Sequence, residues 1–187
     1  SHLRPHLLVD GMNAIGRVYS QEREAVARET WAASMFTTYP ARLIGALQAL
    51  RLMCPELGGV TTIFDQPRSQ RKGSLLRRKA WARAARRPWN CQGVEVHIVP
   101  AAMAGQADGA DRMLIALATS WADSAPAPPL VVVTDDRALR QAIAPLGAEC
   151  RWCDWLIEEL GRNATLVQEM EAAQDLPPKL RDCLGLY

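Results

Sequence analysis

The feature that most constrains this chain is a recurring pair: a short apolar run, then an aspartate. His6–Val9 runs into Asp10-Gly11, Val60–Phe64 into Asp65, and Leu130–Thr134 into Asp135-Asp136. The stretches LLV, VTTIF and LVVV are continuously apolar or β-branched. Strands buried on both faces of a parallel sheet read this way, whereas half-exposed strands alternate. Helical spacing fills the intervals. In Ala41–Met53, Leu43, Ile44, Leu47 and Leu50 recur at steps of three and four and share one face. The preceding region is helical and broken near Thr37–Pro40, where Pro40 disfavours helical geometry at Tyr39. Ser74–Arg87, Ala110–Trp121 and Arg137–Ile143 also read as helices, Val94–Val99 as a further strand and Ala148–Trp152 as a short last strand. Helices then occupy Asp154–Leu160, Thr165–Ala173 and Pro178–Cys183. Strands alternating with helices imply βαβ units, and so a three-layer, Rossmann-like α/β fold with a parallel sheet flanked by helices.

A chain of 187 residues fits one domain with a small appendage: an α/β domain over 1–160 and a C-terminal helical extension over 161–187, packed on it. Hydrophobic residues make up 49% and charged residues 22%, which excludes a disordered chain. The apolar runs fall far short of the roughly 20 residues needed to cross a bilayer, so no membrane role is expected. The first residues lack the apolar stretch of a secretory leader. Five cysteines, an odd number, point to a reducing, cytoplasmic setting. Cys150 and Cys153 have CxxC spacing, but no second pair accompanies them, and a structural zinc needs four ligands. They read as ordinary cysteines near the end of a strand.

The formal net charge of +2 hides an uneven distribution. Between Gln66 and Gly93 there is no acidic residue, while Arg68, Arg71, Lys72, Arg77, Arg78, Lys79, Arg83, Arg86 and Arg87 lie there. Nine of the 22 lysines and arginines thus fall within 20 residues, and the remainder of the chain is net acidic. So many cations without local acidic partners suit a polyanion, which points to nucleic acid. Trp81 and Trp89, within or beside this run, either stack on bases or pack inward, and the pattern leans towards packing.

In parallel sheets, ligands bind beyond the carboxyl ends of the strands. Asp10, Asp65, Asp135 and Asp136 are delivered to that edge by three separate strands. Asp111 begins the helix after the third strand, with Asp108 one turn upstream. Any one of these acids alone reads as a helix cap or turn residue, Asp108 and Asp135 above all. Together they repel one another unless a cation neutralises them. An all-carboxylate site suits Mg²⁺ or Mn²⁺, which can activate water and stabilise charge on a phosphate. His2, His6 and His97 have no metal-ligand spacing, and the last two read as structural residues of strands.

The motifs resemble a known superfamily. Leu7-Leu8-Val9-Asp10-Gly11-Met12-Asn13-Ala14-Ile15-Gly16 is similar to the opening DGxNxIG motif of NYN domains, especially the YacP-like group, within the PIN-like nucleases. Ile63-Phe64-Asp65 resembles the second-strand VVFD element. Gly93-Val94-Glu95-Val96 with Ala110-Asp111 resembles the GVEV…TAD segment, and Thr134-Asp135-Asp136 the final S/T-x-D strand end. The likeness spans about residues 6–160, in the family's order. It implies a PIN-like fold and a metal-dependent nuclease, most readily an endoribonuclease. Asp10 would hold Mg²⁺ or Mn²⁺, Asn13 would orient Asp10 or a water, and Asp111 and Asp136 would complete the acidic cluster. Asp135 would be an adjoining ligand, and Asp65 would stand at the rim. Where relatives carry a second acid after the position of Asp111, this chain has Arg112, and Asp108 is the nearest substitute. That departure leaves open one metal or two. It also leaves open a nucleic-acid-binding module without catalysis. The basic run after the second strand also resembles the arch of flap-endonuclease-like 5′ nucleases acting on DNA. No helix-hairpin-helix is evident, however, and RNA is favoured over DNA. The C-terminal helices would pack on the domain or form a protein-partner or homodimer surface.

Overall fold

The computed structural model describes residues 3–66, 75–100, 109–184 and 186, without the side chains of 75–78 and 80. Among the described residues the sheet has six strands: β1 (His6–Asp10), β2 (Gly59–Phe64), β3 (Trp89–Cys91), β4 (Val94–Ile98), β5 (Leu130–Val133) and β6 (Glu149–Arg151). Their order is β3-β4-β2-β1-β5-β6. All neighbours are parallel except β3, which pairs antiparallel with β4. The α/β class with a mainly parallel, helix-flanked sheet therefore stands as expected.

The helices are α1 (Gly11–Val18), α2 (Ser20–Ala25), α3 (Arg28–Ser34), α4 (Thr38–Met53), α5 (Leu75–Ala84), α6 (Gly109–Ala122), α7 (Arg137–Ile143), α8 (Cys153–Gly161), α9 (Ala164–Ala173) and α10 (Pro178–Leu184). A 3₁₀ turn at Ala144–Leu146 follows α7. Alternate side chains of each strand serve opposite layers. Leu7, Val9, Val60, Phe64 and Val133 pack with α1, α4, α8 and the last two helices. Leu8, Ile63 and Val132 pack with α6 and α7.

The α4 helix is the hub of the first layer. Beyond the expected stripe, Ala41, Gly45, Ala46, Gln48 and Ala49 are also buried, because the sheet lies on one side and α9 on the other. At Gly45 a Cβ would sit 2.5 Å from the Met170 carbonyl oxygen, so only glycine allows α9 this close. The expected break at Thr37–Pro40 is real but narrower. The α4 helix starts at Thr38 with Pro40 in its first turn, where backbone N–H groups have no intrahelical partner to lose.

The β3 strand was not expected. Trp89 pairs with Val96 and Cys91 with Val94, joined by Gln92 and Gly93, whose φ angles of 48° and 85° fit a tight two-residue hairpin. Trp81 and Trp89 are buried, at 2% and 9% exposure, and the Trp89 indole N–H donates to the Ala84 carbonyl at 2.8 Å. They belong to the core and are not free to stack on bases.

Candidate active site

β1 lies between β2 and β5, so the chain moves outward in both directions from it. This is the topological switch point, where parallel sheets open a crevice at their carboxyl edge. Asp10 ends β1 there, Asp65 follows β2, and Asp135 and Asp136 follow β5.

Asp10 is 2% exposed. It caps α1: its Oδ1 accepts the Asn13 backbone N–H at 3.2 Å. Its Oδ2 accepts the Asn13 side-chain amide at 2.5 Å and the Thr134 hydroxyl at 2.9 Å. Burial raises the Asp10 carboxyl above the ordinary aspartate range, the three Asn13 and Thr134 hydrogen bonds oppose that, and the charge of Asp136 adds to it. Gly11 makes the geometry accessible, since a Cβ there would lie 2.5 Å from the Ile63 carbonyl oxygen. The DGxN spacing thus has a local cause: a carboxylate that caps its own helix, a glycine pressed on β2, and an amide one turn on that returns to the carboxylate.

Thr134 is fully buried and joins the two acids. While donating to Asp10, its oxygen accepts the Asp136 backbone N–H at 3.1 Å. Asp136 caps α7 by accepting the Leu139 N–H at 2.9 Å, which leaves its other carboxylate oxygen without a bond from that cap. Asp135 is engaged differently. Its Oδ1 accepts the Cys153 backbone N–H at 2.8 Å, capping α8 from a distance, and its Oδ2 pairs with Arg17 Nε at 3.3 Å. Arg17 also pairs with Asp154. Asp135 therefore ties β5 to α1 and α8. The S/T-x-D motif marks Thr134 at this edge but not its bond to Asp10, and nothing in the residue pattern signals Arg17, whose partners lie more than 100 positions away.

Asp111 lies in the first turn of α6, half-exposed, and Arg112 follows it on the surface. Asp108 lies outside the described residues. Among those described, no three or more His, Cys, Asp or Glu side chains are grouped to hold a metal. The structure thus brings Asp10 and Asp136 together, while Asp111 is not part of such a group. His6 bonds Thr61 Oγ1 at 2.9 Å and packs on Trp121, and His97 pairs with Glu95, both as structural residues. Cys150 and Cys153 are free thiols, and burial raises both.

Of the basic run, Arg68, Arg71 and Lys72 lie outside the described residues. Arg77 and Arg78 lie on α5 without described side chains. Lys79, Arg83, Arg86 and Arg87 are exposed, while Trp81 and Ala84 turn inward. The described part of the segment is thus a basic outer face on a buried aromatic anchor. No described helix is long and apolar enough to cross a membrane.

The sequence matches no protein-family profile and no curated protein. Solved structures do match. A point mutant of Rae1 (YacP) from Bacillus subtilis aligns over 97% of this chain and 98% of that one, with a TM-score of 0.54 at 20% identity. A second crystal structure of Rae1 (YacP) from the same organism aligns over 89% of this chain and 78% of that one, with a TM-score of 0.55 at 21% identity. With Asp10, Asn13 and Asp136 set around the switch point of a matching sheet, the chain shares the fold of Rae1 (YacP).

Proposed function

We propose that this chain is a Mg²⁺- or Mn²⁺-dependent nuclease that hydrolyses phosphodiester bonds, acting as an endoribonuclease on RNA. The observation that carries the reading is the buried Asp10 carboxylate at the switch point, held by Asn13 and Thr134 beside Asp136. A carboxylate desolvated next to a second acid is unfavourable alone and suits a cation partner. The donor set is hard oxygen only, and Mg²⁺ is commonly held by one or two carboxylates plus water and substrate phosphate. The residues therefore fit the ion: Asp10 and Asp136 would hold it, with Asp111 and Asp108 the candidates to complete the shell and Asp65 at the rim. When bound, such an ion supplies activation of water and stabilisation of phosphate charge.

The remaining roles belong to the chain's own groups. Asn13 and Thr134 fix both Asp10 oxygens, so the carboxylate presents one orientation. Asp135, with both oxygens engaged by Cys153 and Arg17, acts as a strut that sets the positions of α1 and α8. Arg68, Arg71, Lys72, Arg77, Arg78, Lys79, Arg83, Arg86 and Arg87 would neutralise substrate phosphates. RNA is preferred over DNA on the NYN resemblance. In addition, α9 lies along α4 and α10 against α5, so these helices serve the core. The test is cleavage of labelled single-stranded RNA and DNA with Mg²⁺, Mn²⁺ or EDTA. RNA cut only with the divalent ion supports the reading. DNA cut in preference favours the flap-endonuclease-like alternative, and binding without cleavage under every condition favours a non-catalytic module.

A further inference from the structure

We propose that Trp152 is a stacking platform for one unpaired base of a single-stranded nucleic acid lying across the Asp10–Asp136 edge; this rests on the nuclease reading above. Among the described large hydrophobic side chains, Trp152 is the one exposed aromatic, at 44%. It follows β6 directly and so leaves the sheet at the same edge as Asp10, Asp135 and Asp136. Its neighbours on both sides are tied to that edge. The Arg151 carbonyl accepts the Thr134 N–H at 3.2 Å, and the Cys153 N–H donates to Asp135 at 2.8 Å. Two strand spacings separate β6 from β1, or about 10 Å. A strand held at Asp10 therefore has a base within reach of the ring.

The ring is held ready. The Arg140 guanidinium carbon lies 3.7 Å from its centroid and covers one face. That guanidinium is itself anchored, donating to the Cys150 carbonyl at 3.1 Å and the Thr134 carbonyl at 3.4 Å. An anchored cation on one face fixes the ring orientation, while the residue keeps 44% of its surface exposed. It also adds positive charge beside the place where a phosphate chain would run. Arg and aromatic planes together are what sequence-tolerant single-strand sites use, because every base has a π-face. A protein-docking patch would need contiguous apolar surface of several hundred Å². Here the adjoining Arg151 and Asp154 are exposed and charged.

The experiment uses full-length protein carrying Asp10→Asn, so that RNA is bound without turnover, and a short labelled single-stranded RNA. Trp152→Ala in that background is expected to weaken binding about five- to 150-fold, the affinity equivalent of one lost base stack at about 1–3 kcal/mol. Trp152→Phe retains most of the affinity. The salt slope stays unchanged, because no phosphate contact is removed. An abasic position walked along the RNA gives the same loss at one register with Trp152 intact, a readout independent of how the Ala variant folds. At that register Trp152→Ala adds nothing further. Wild-type affinity in Trp152→Ala, or no register-dependent abasic effect, overturns the platform while leaving the nuclease reading standing. Failure of the Asp10→Asn protein to bind RNA at all overturns both.

Discussion

Replacing Thr134 with Val tests how the site is built. Thr134 is fully buried, and its hydroxyl both donates to Asp10 Oδ2 at 2.9 Å and accepts from the Asp136 N–H at 3.1 Å. Valine nearly matches its shape but removes both bonds. A hydrogen bond to a buried charge is worth about 1.5–3 kcal/mol, and an unpaired buried N–H costs about 1–3 kcal/mol. Asp136 is half-exposed, so water replaces part of its loss. The expected net destabilisation is about 2–4 kcal/mol, or roughly 5–15 °C in Tm for a chain of this size. Thr134→Ser keeps the hydroxyl and loses one methyl, about 1 kcal/mol. The pH dependence carries a sign. Because burial raises the Asp10 pKa in the folded state, the folded chain holds more protons, and stability falls as pH rises from the ordinary aspartate value of 3.8 through the folded one. Losing the Thr134 donor raises the folded value further, so the deficit of the Val variant grows across that interval. Urea titration and thermal melts of both variants from acid to neutral pH measure this. A Val variant as stable as the Ser variant at neutral pH would refute the reasoning.

Mg²⁺ or Mn²⁺ at 100 times its Kd should stabilise the folded chain by about 2.7 kcal/mol, seen as a rise in Tm, and Asp10→Asn should abolish that rise. Converting Arg77, Arg78 and Arg83 together to Ala should weaken binding to many RNA sequences alike. It should flatten the log–log salt slope by about 2, at roughly 0.7 per phosphate contact on a single strand, with turnover at saturating substrate falling much less. Away from the site, the Arg42 guanidinium holds Glu22 below the ordinary carboxylate range. That stabilisation is present above the usual value of 4.5 and is lost as pH falls through the folded one. Glu22→Gln should therefore flatten the acid side of the melting profile.

The parallel strands were legible because burial on both faces writes continuous β-branched runs, and α7 because Asp136 caps it where the apolar pattern begins. β3 was not, since three residues carry too little pattern, although Gln92-Gly93 before Val94 is a hairpin signal. Asp10, Asn13 and Asp136 could be read because strand ends and a helical step of three fix where they fall. Trp81 and Trp89 turn inward, as the pattern leans, but the α10 helix that packs on α5 lies about 100 residues further along, in no local window. Likewise, Asp135 looked like a ligand or a cap for its own helix. It instead caps α8 and pairs with Arg17, through contacts 18 residues apart and across elements. Trp152 read as the last residue of a short strand, and its exposure beside Arg140 emerges only once β6 is placed at the sheet edge.

The central claim is that Asp10 serves chemistry and not only the start of α1. Cleavage rate and RNA affinity of folded Asp10→Asn protein, measured side by side with wild type in Mg²⁺ or Mn²⁺, test it most directly. Losing the carboxylate removes a cation ligand and also a negative charge near the phosphate path. The account predicts that cleavage is abolished while RNA binds as tightly or more tightly. A folded Asp10→Asn protein that cleaves RNA at the wild-type rate contradicts it.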